Sequence, residues 1–163
     1  MSANLQDRLA EVQRSVRTRP LFAMQLETKL VAVGRTPTTL RRIGVVSDGT
    51  FEGDRLSGRV LEGGSDWQSI RDDGSTLLDV RLTLETQDGA LICMTYEGIR
   101  HGPREIIQRL DAGEIVDAMS YYFRIAPQFE TASENYGWLN AIVAISIGHR
   151  FSDGPIYNLL ELL

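Results

Sequence analysis

Apolar and polar residues alternate strictly along Leu78-Asp79-Val80-Arg81-Leu82-Thr83-Leu84-Glu85. Leu78, Val80, Leu82 and Leu84 therefore share one face of an extended strand, and Asp79, Arg81, Thr83 and Glu85 share the other. The same period marks a first strand, where Phe22, Met24 and Leu26 alternate with Ala23, Gln25 and Glu27 and the pattern runs on toward Val33. A second strand is predicted from Leu40 to Val46, closed by Ser47-Asp48-Gly49. A third runs from Thr50 to Leu61, broken by Gly53 and Gly58, which inside strands signal bulges or tight curvature. Short strands follow near Trp67 to Arg71, from Leu77 to Thr86 after the Asp72-Asp73-Gly74 turn, and from Ala90 to Tyr96 after the Gln87-Asp88-Gly89 hairpin signal. Tyr121 to Phe129, Trp138 to Ile147, and Ile156 to Leu162 complete about nine strands.

Two segments depart from this period. Leu5, Leu9, Val12 and Val16 recur at helical spacing and predict an amphipathic helix over residues 3–17, stopped by Thr18-Arg19-Pro20. Pro103 followed by Ile106, Ile107 and Leu110, with Gly113 beyond, predicts one short helix near 103–111. Short, evenly spaced strands with few helices argue an all-β fold, a single antiparallel β-barrel of about eight or nine strands. The expected organisation is a helical extension at 1–18 and a barrel domain at 19–163.

Composition narrows the function classes. A chain of 163 residues with 42% apolar and 24% charged residues is an ordinary globular domain with room for a full core. The net charge of -5 argues against a nucleic-acid partner. The one basic cluster, Arg41-Arg42 with Arg35 nearby, reads as a solvated strand face. A single cysteine, Cys93, excludes an intrachain disulfide and reads as a small buried hydrophobe. Without a signal-like apolar stretch in residues 1–18 or an apolar run of about 18 residues, the expectation is a cytoplasmic protein with no membrane partner.

No metal and no cofactor are expected. His101 and His149 are far apart in sequence and form no zinc-ligand spacing, and neither a nucleophile elbow nor a phosphate-binding glycine loop is present. What the sequence offers is strand-borne ionisable and aromatic residues. Asp79 and Arg81 share a face, Tyr122 and Arg124 share another, and Trp138 and Asn140 a third, while Asp66 and Trp67 sit in the turn-rich stretch after Gly63-Gly64. Two packings are open: these faces line a lumen, or they meet water while leucines fill the interior. In the first, Arg81 and Arg124 would hold an oxyanion, and Asp79 or Glu130 would serve as general base. Trp67, Tyr122 and Trp138 would stack on an aromatic or conjugated ligand.

The ordered set Gly49-Thr50-Phe51-Glu52-Gly53, Gly63-Gly64-Ser65-Asp66-Trp67, Arg71-Asp72-Asp73-Gly74, Leu78-Asp79-Val80-Arg81 and Thr86-Gln87-Asp88-Gly89-Ala90 resembles domain-of-unknown-function family 3237. Tyr121-Tyr122-Phe123-Arg124, Pro127-Gln128-Phe129-Glu130-Thr131 and Tyr136-Gly137-Trp138-Leu139-Asn140 continue the likeness, which begins near Leu21. Leu82 departs from it, standing where a tyrosine is expected. The resemblance implies a barrel similar to allene oxide cyclase-like, dirigent-like and calycin-like barrels, assembled as a homo-oligomer. It carries Asp66, Trp67, Asp79, Arg81, Arg124, Glu130, Trp138 and Asn140 as site candidates. The expected function is small-molecule binding, with cofactor-independent isomerase, cyclase or lyase chemistry on an aromatic or conjugated metabolite. A non-catalytic ligand-binding protein and a structural oligomer are the alternatives.

Overall fold

A computed structural model describes residues 4–163. Nine strands carry the fold: β1 (Thr18–Arg35), β2 (Leu40–Glu52), β3 (Gly58–Val60), β4 (Ser65–Ile70), β5 (Thr76–Thr86), β6 (Leu91–His101), β7 (Tyr122–Glu130), β8 (Ala144–Phe151) and β9 (Gly154–Leu162). All pairings are antiparallel, and β1 pairs with both β2 and β9, so the sheet closes on itself as a barrel. Between β2 and β5 the wall is shared: β4 spans one part of the gap and the three-residue β3 the other.

The alternation seen in the sequence sets which side faces in. Leu78, Val80, Leu82 and Leu84 of β5 are buried, with Ile92 and Met94 of β6, Met24 and Leu26 of β1, and Leu159 of β9. Each such side chain buried contributes roughly 1.5–3 kcal/mol relative to exposure. Turning β5 over would drown four apolar chains to shelter Asp79 and Arg81. The same parity puts Cys93 on the outside, exposed between inward Ile92 and Met94, not in the core as expected.

β2 does not stop at Ser47-Asp48-Gly49. Its register against β1 steps from Glu27 opposite Asp48 to Thr28 opposite Val46, so Ser47 is an extra residue and the turn-like sequence makes a bulge. Gly49 is needed beside it, because a Cβ there would lie 2.6 Å from the Gln25 carbonyl oxygen.

Three other expectations change. In place of a helix over 3–17, the described part of that segment holds two short 3₁₀ turns, Leu5–Arg8 and Glu11–Gln13, and residue 3 lies outside the described residues. Leu5, Leu9, Val12 and Val16 are all exposed, and an amphipathic stripe with nothing to pack against gives a short helix little stability. The strand expected at Trp138–Ile147 begins only at Ala144, because Gly137–Ala141 is a 3₁₀ turn. Asn140 clamps that turn, accepting from the Thr131 N–H at 2.8 Å and donating to the Thr131 carbonyl at 2.9 Å. The third strand shrinks to β3, since β2 itself runs on to Glu52. The second predicted helix forms as α1 (Arg104–Asp111), which buries Ile107 and Leu110.

Candidate functional site

Polar side chains gather at one end of the lumen. β4 sends Asp66 and Gln68 inward and Trp67 outward, the reverse of what hydrophobicity alone would choose. Opposite Gln68 on β2 stands Arg42, whose Nε donates to the side-chain oxygen Gln68 Oε1 at 2.5 Å. The Gln68 amide then donates to Asp66 Oδ2 at 2.6 Å. β6 contributes Tyr96 and Arg100, β8 contributes Arg150, and β9 contributes Tyr157 to the same pocket, with Thr76, Leu78 and Phe123 as further walls. The space left is about 10 Å³ for water centres, room for about one molecule.

Three buried polar atoms here have no hydrogen-bond partner among the described residues: Asp66 Oδ1, the Tyr96 hydroxyl and Arg100 Nε. Asp66, Tyr96 and Arg100 are 7%, 3% and 3% exposed. Burial pushes the Asp66 carboxyl up to about 6; the Gln68 hydrogen bond and the charges of Arg100 and Arg42 oppose this without overcoming it. Burial holds both phenols, Tyr96 and Tyr157, above their ordinary range. It also lowers Arg100 to about 10, helped by repulsion from Arg150 and Arg42, yet the group stays a cation at neutral pH. Arg150 is lowered for the same first reason. The last residue of α1, Asp111, reaches this cluster, with Oδ1 3.4 Å from Arg100 Nη2 and 3.5 Å from Arg42 Nη1. Beside the mouth, Tyr121 accepts from the Arg150 N–H at 2.9 Å and lies 2.8 Å from His149 Nδ1.

Of the residues singled out in the sequence, Asp66 alone faces this pocket. Asp79 and Arg81 lie on the outer face of β5, bordering an open depression with Thr95, Glu97 and Gln128. Arg124 lies outside too, its guanidinium 4.6 Å over the Tyr122 ring and Nη1 donating to the Phe123 carbonyl. Trp67 is 51% exposed, and Glu130 is exposed at the end of β7. Trp138 sits at the opposite end of the barrel under the Arg55 guanidinium, 4.2 Å from its ring, and Asn140 serves the clamp described above. Asp79, Arg81 and Arg124 therefore do not converge in the lumen, because their apolar neighbours hold that side.

Sequence reading missed Gln68, Tyr96, Arg100, Arg150 and Tyr157, and left Arg42 on a solvated face, whereas its side chain is only 16% exposed. Parity held the signal. Ile92, Met94, Tyr96, Gly98 and Arg100 keep one phase along β6, so an inward Ile92 sends Arg100 inward as well. Ala144, Ser146, Gly148 and Arg150 do the same along β8.

Residues 16–162 match the family described as "Protein of unknown function (DUF3237)". The chain belongs to the DUF3237 family. Among its relatives, a UPF0311 protein of Rhodopseudomonas palustris is 37% identical over 134 residues, 82% of this chain and 88% of that protein. A crystal structure of a conserved protein of unknown function from R. palustris superposes with a TM-score of 0.88 at 33% identity, covering 91% of this chain and 99% of that one. A β-barrel-like protein from Acinetobacter baumannii AYE superposes at 0.79 with 38% identity, covering 91% and 97%. DUF3237 membership and a barrel fold thus agree with the ring of strands seen here. Among the described residues, no helix is long and apolar enough to cross a membrane.

Proposed function

We propose that the protein binds a small molecule at the polar end of its lumen and moves a proton on it without a cofactor, with Asp66 as the acid–base group. The observation that carries this reading is a buried carboxyl with a pKa raised to about 6, sharing one pocket with the Arg100 guanidinium, whose Nε has no hydrogen-bond partner, and with the unpartnered Tyr96 hydroxyl. A group tuned close to neutral pH exchanges protons in both directions, which general acid–base catalysis requires. The Asp66 carboxylate takes a proton from a carbon next to a carbonyl. The electron pair moves onto the carbonyl oxygen, where the Arg100 cation and the Tyr96 hydroxyl stabilise the enolate. Protonated Asp66 returns the proton at another position, completing an isomerisation. In this reading Asp66 takes the role first considered for Asp79, and Arg100 and Arg150 the role considered for Arg81 and Arg124.

The test is proton exchange. A panel of enolisable carbonyl compounds is incubated in D2O and followed by proton NMR. The wild-type protein exchanges at least one member, and Asp66→Asn slows that exchange about 10²–10⁴-fold while still binding it. Exchange at the wild-type rate in the variant overturns the role of Asp66. No exchange of any compound by the wild type leaves the second reading, ligand capture without turnover, which the excess of guanidinium groups over carboxylates at the mouth favours. Cytoplasmic residence and a homo-oligomeric assembly belong to the same proposal; sedimentation mass checks the latter.

A further inference from the structure

Charge at the lumen mouth is unbalanced. Arg42, Arg100 and Arg150 meet there, faced by Asp66 and by Asp111, and Asp66 is itself close to accepting a proton. Arg150 makes no ion pair among the described residues. Asp111 offers one oxygen to two guanidiniums at 3.4 and 3.5 Å, whereas a well-seated carboxylate approaches a guanidinium to about 2.7–2.9 Å. The Asp111 side chain is 43% exposed, so it meets the cluster from the solvent side, while Arg100 is 3% exposed with Nε unpartnered. Asp111 reaches the site without filling it.

The element that carries Asp111 is lightly tied. α1 has eight residues, follows Pro103 with no side-chain cap, and buries only Ile107 and Leu110. Gly102 precedes it, and Gly113 follows with φ of +82°, a backbone state in which glycine bends at little cost. The pocket has room for about one water, so an organic ligand enters only if part of the surround moves, and α1 is tied to that surround through Asp111 on Arg100 and Arg42.

We infer that the ligand of this pocket is a small organic carboxylate, that Asp111 stands in for its carboxylate group, and that α1 is the cover displaced when the ligand binds. The inference rests on the lumen-end pocket proposed above as the ligand site, and it adds the chemical class and the gate. A planar carboxylate offers two oxygens to the guanidinium cluster, giving Arg100 a closer partner than Asp111 and Arg150 the ion-pair partner it lacks. The ligand must therefore bind in competition with the protein's own carboxylate.

Benzoate is the probe, measured by calorimetry, with benzyl alcohol as its uncharged counterpart. Asp111→Asn removes the competitor and tightens benzoate binding about ten-fold, Asp111→Glu restores wild-type affinity, and benzyl alcohol shows no such gain. Arg150→Gln, at a half-buried position, weakens benzoate about ten-fold or more while the thermal transition persists. Amide hydrogen exchange over Arg104–Asp111 accelerates when benzoate is added to the wild type, a readout that a purely structural role for Asp111 would not move. Equal benzoate affinity in the wild type and Asp111→Asn overturns the inference. So does an equal gain for benzyl alcohol, unchanged exchange over α1, or no benzoate binding to either protein. The two readings fail separately. Competition with Asp111 but no Asp66-dependent proton exchange removes the proton-transfer reading alone; proton exchange without the Asp111 effect removes this one alone.

Discussion

Among the described residues two carboxylates are buried, Asp66 and Glu161, one toward each end of the barrel, and the protein treats them oppositely. Glu161 of β9 accepts from Arg19 Nη2 at 2.9 Å and also from Arg55, whose guanidinium stacks on Trp138. Burial raises its pKa, but those two hydrogen-bonded cations outweigh the rise and hold it below its ordinary value. Asp66 has cations nearby, yet its direct donor is the neutral amide of Gln68, and burial wins. Proximity of positive charge is thus not enough; a guanidinium must donate directly to the carboxylate to offset the loss of water. One end is locked as an ion pair, and the other is left able to titrate.

That contrast can be broken in graded steps. The largest effect lies near the locked end, where Phe51 is 1% exposed and packs on Phe22 with ring centroids 5.2 Å apart. Phe51→Ala is expected to cost about 3–5 kcal/mol, read as a drop in Tm of about 10 °C. Next comes Asp66→Asn, with the opposite sign. The folded pKa of Asp66 lies near 6 against 3.8 for the free group, so the folded state favours the protonated form. The stability this group lends is complete below about pH 4 and is lost as pH rises through 6, where ionising it in the core costs about 3 kcal/mol. The variant is expected to be more stable than wild type at pH 7–8 by up to about that amount, and the two melting curves should converge near pH 4. A variant that melts lower than wild type at pH 8 would mean the ionised carboxylate is well accommodated.

Glu161→Gln comes third. Removing the charge leaves the half-exposed Arg19 and Arg55 facing a neutral amide, a loss of about 1–2 kcal/mol above pH 5. Because its folded pKa is depressed, this contribution is present above the ordinary carboxylate range and fades as pH falls through it. Wild type and variant should therefore differ less at pH 3 than at pH 7, the mirror image of Asp66. The smallest effect belongs to Asp79→Asn on the outer face, expected within about 0.5 kcal/mol of wild type by denaturant titration. A larger change would mean that the outer face of β5 is covered.

Much of the barrel was legible because its strands are half-buried and follow a period of two, as in Leu78 to Leu84. The same period was ambiguous at the site. A lumen and a solvent face give the same alternation, and only the count of leucines against ions decides between them. Asp79 and Arg81 stand out in the sequence because their charges interrupt an apolar run. Arg100 and Arg150 were hidden because each ends a run whose earlier inward residues are apolar or small. Trp67 is the largest side chain of β4, yet its neighbours Asp66 and Gln68 hold the inward positions. The bulge at Ser47 used residues that elsewhere make turns, and no local signal separates the two uses; the register against β1 does.

The pairing of β1 with β9 has a consequence for how the molecule is made. Arg19 and Glu161 are 142 positions apart in the chain and lie on facing strands at the seam. A chain growing from its N-terminus forms the β1–β2 hairpin early, but the other edge of β1 must wait for the last strand. Until then two strand edges stand open, each a template for pairing with a neighbouring chain. Distant pairings of this kind slow folding, so refolding yield is expected to fall as protein concentration rises, with ring closure as the step at which molecules are lost.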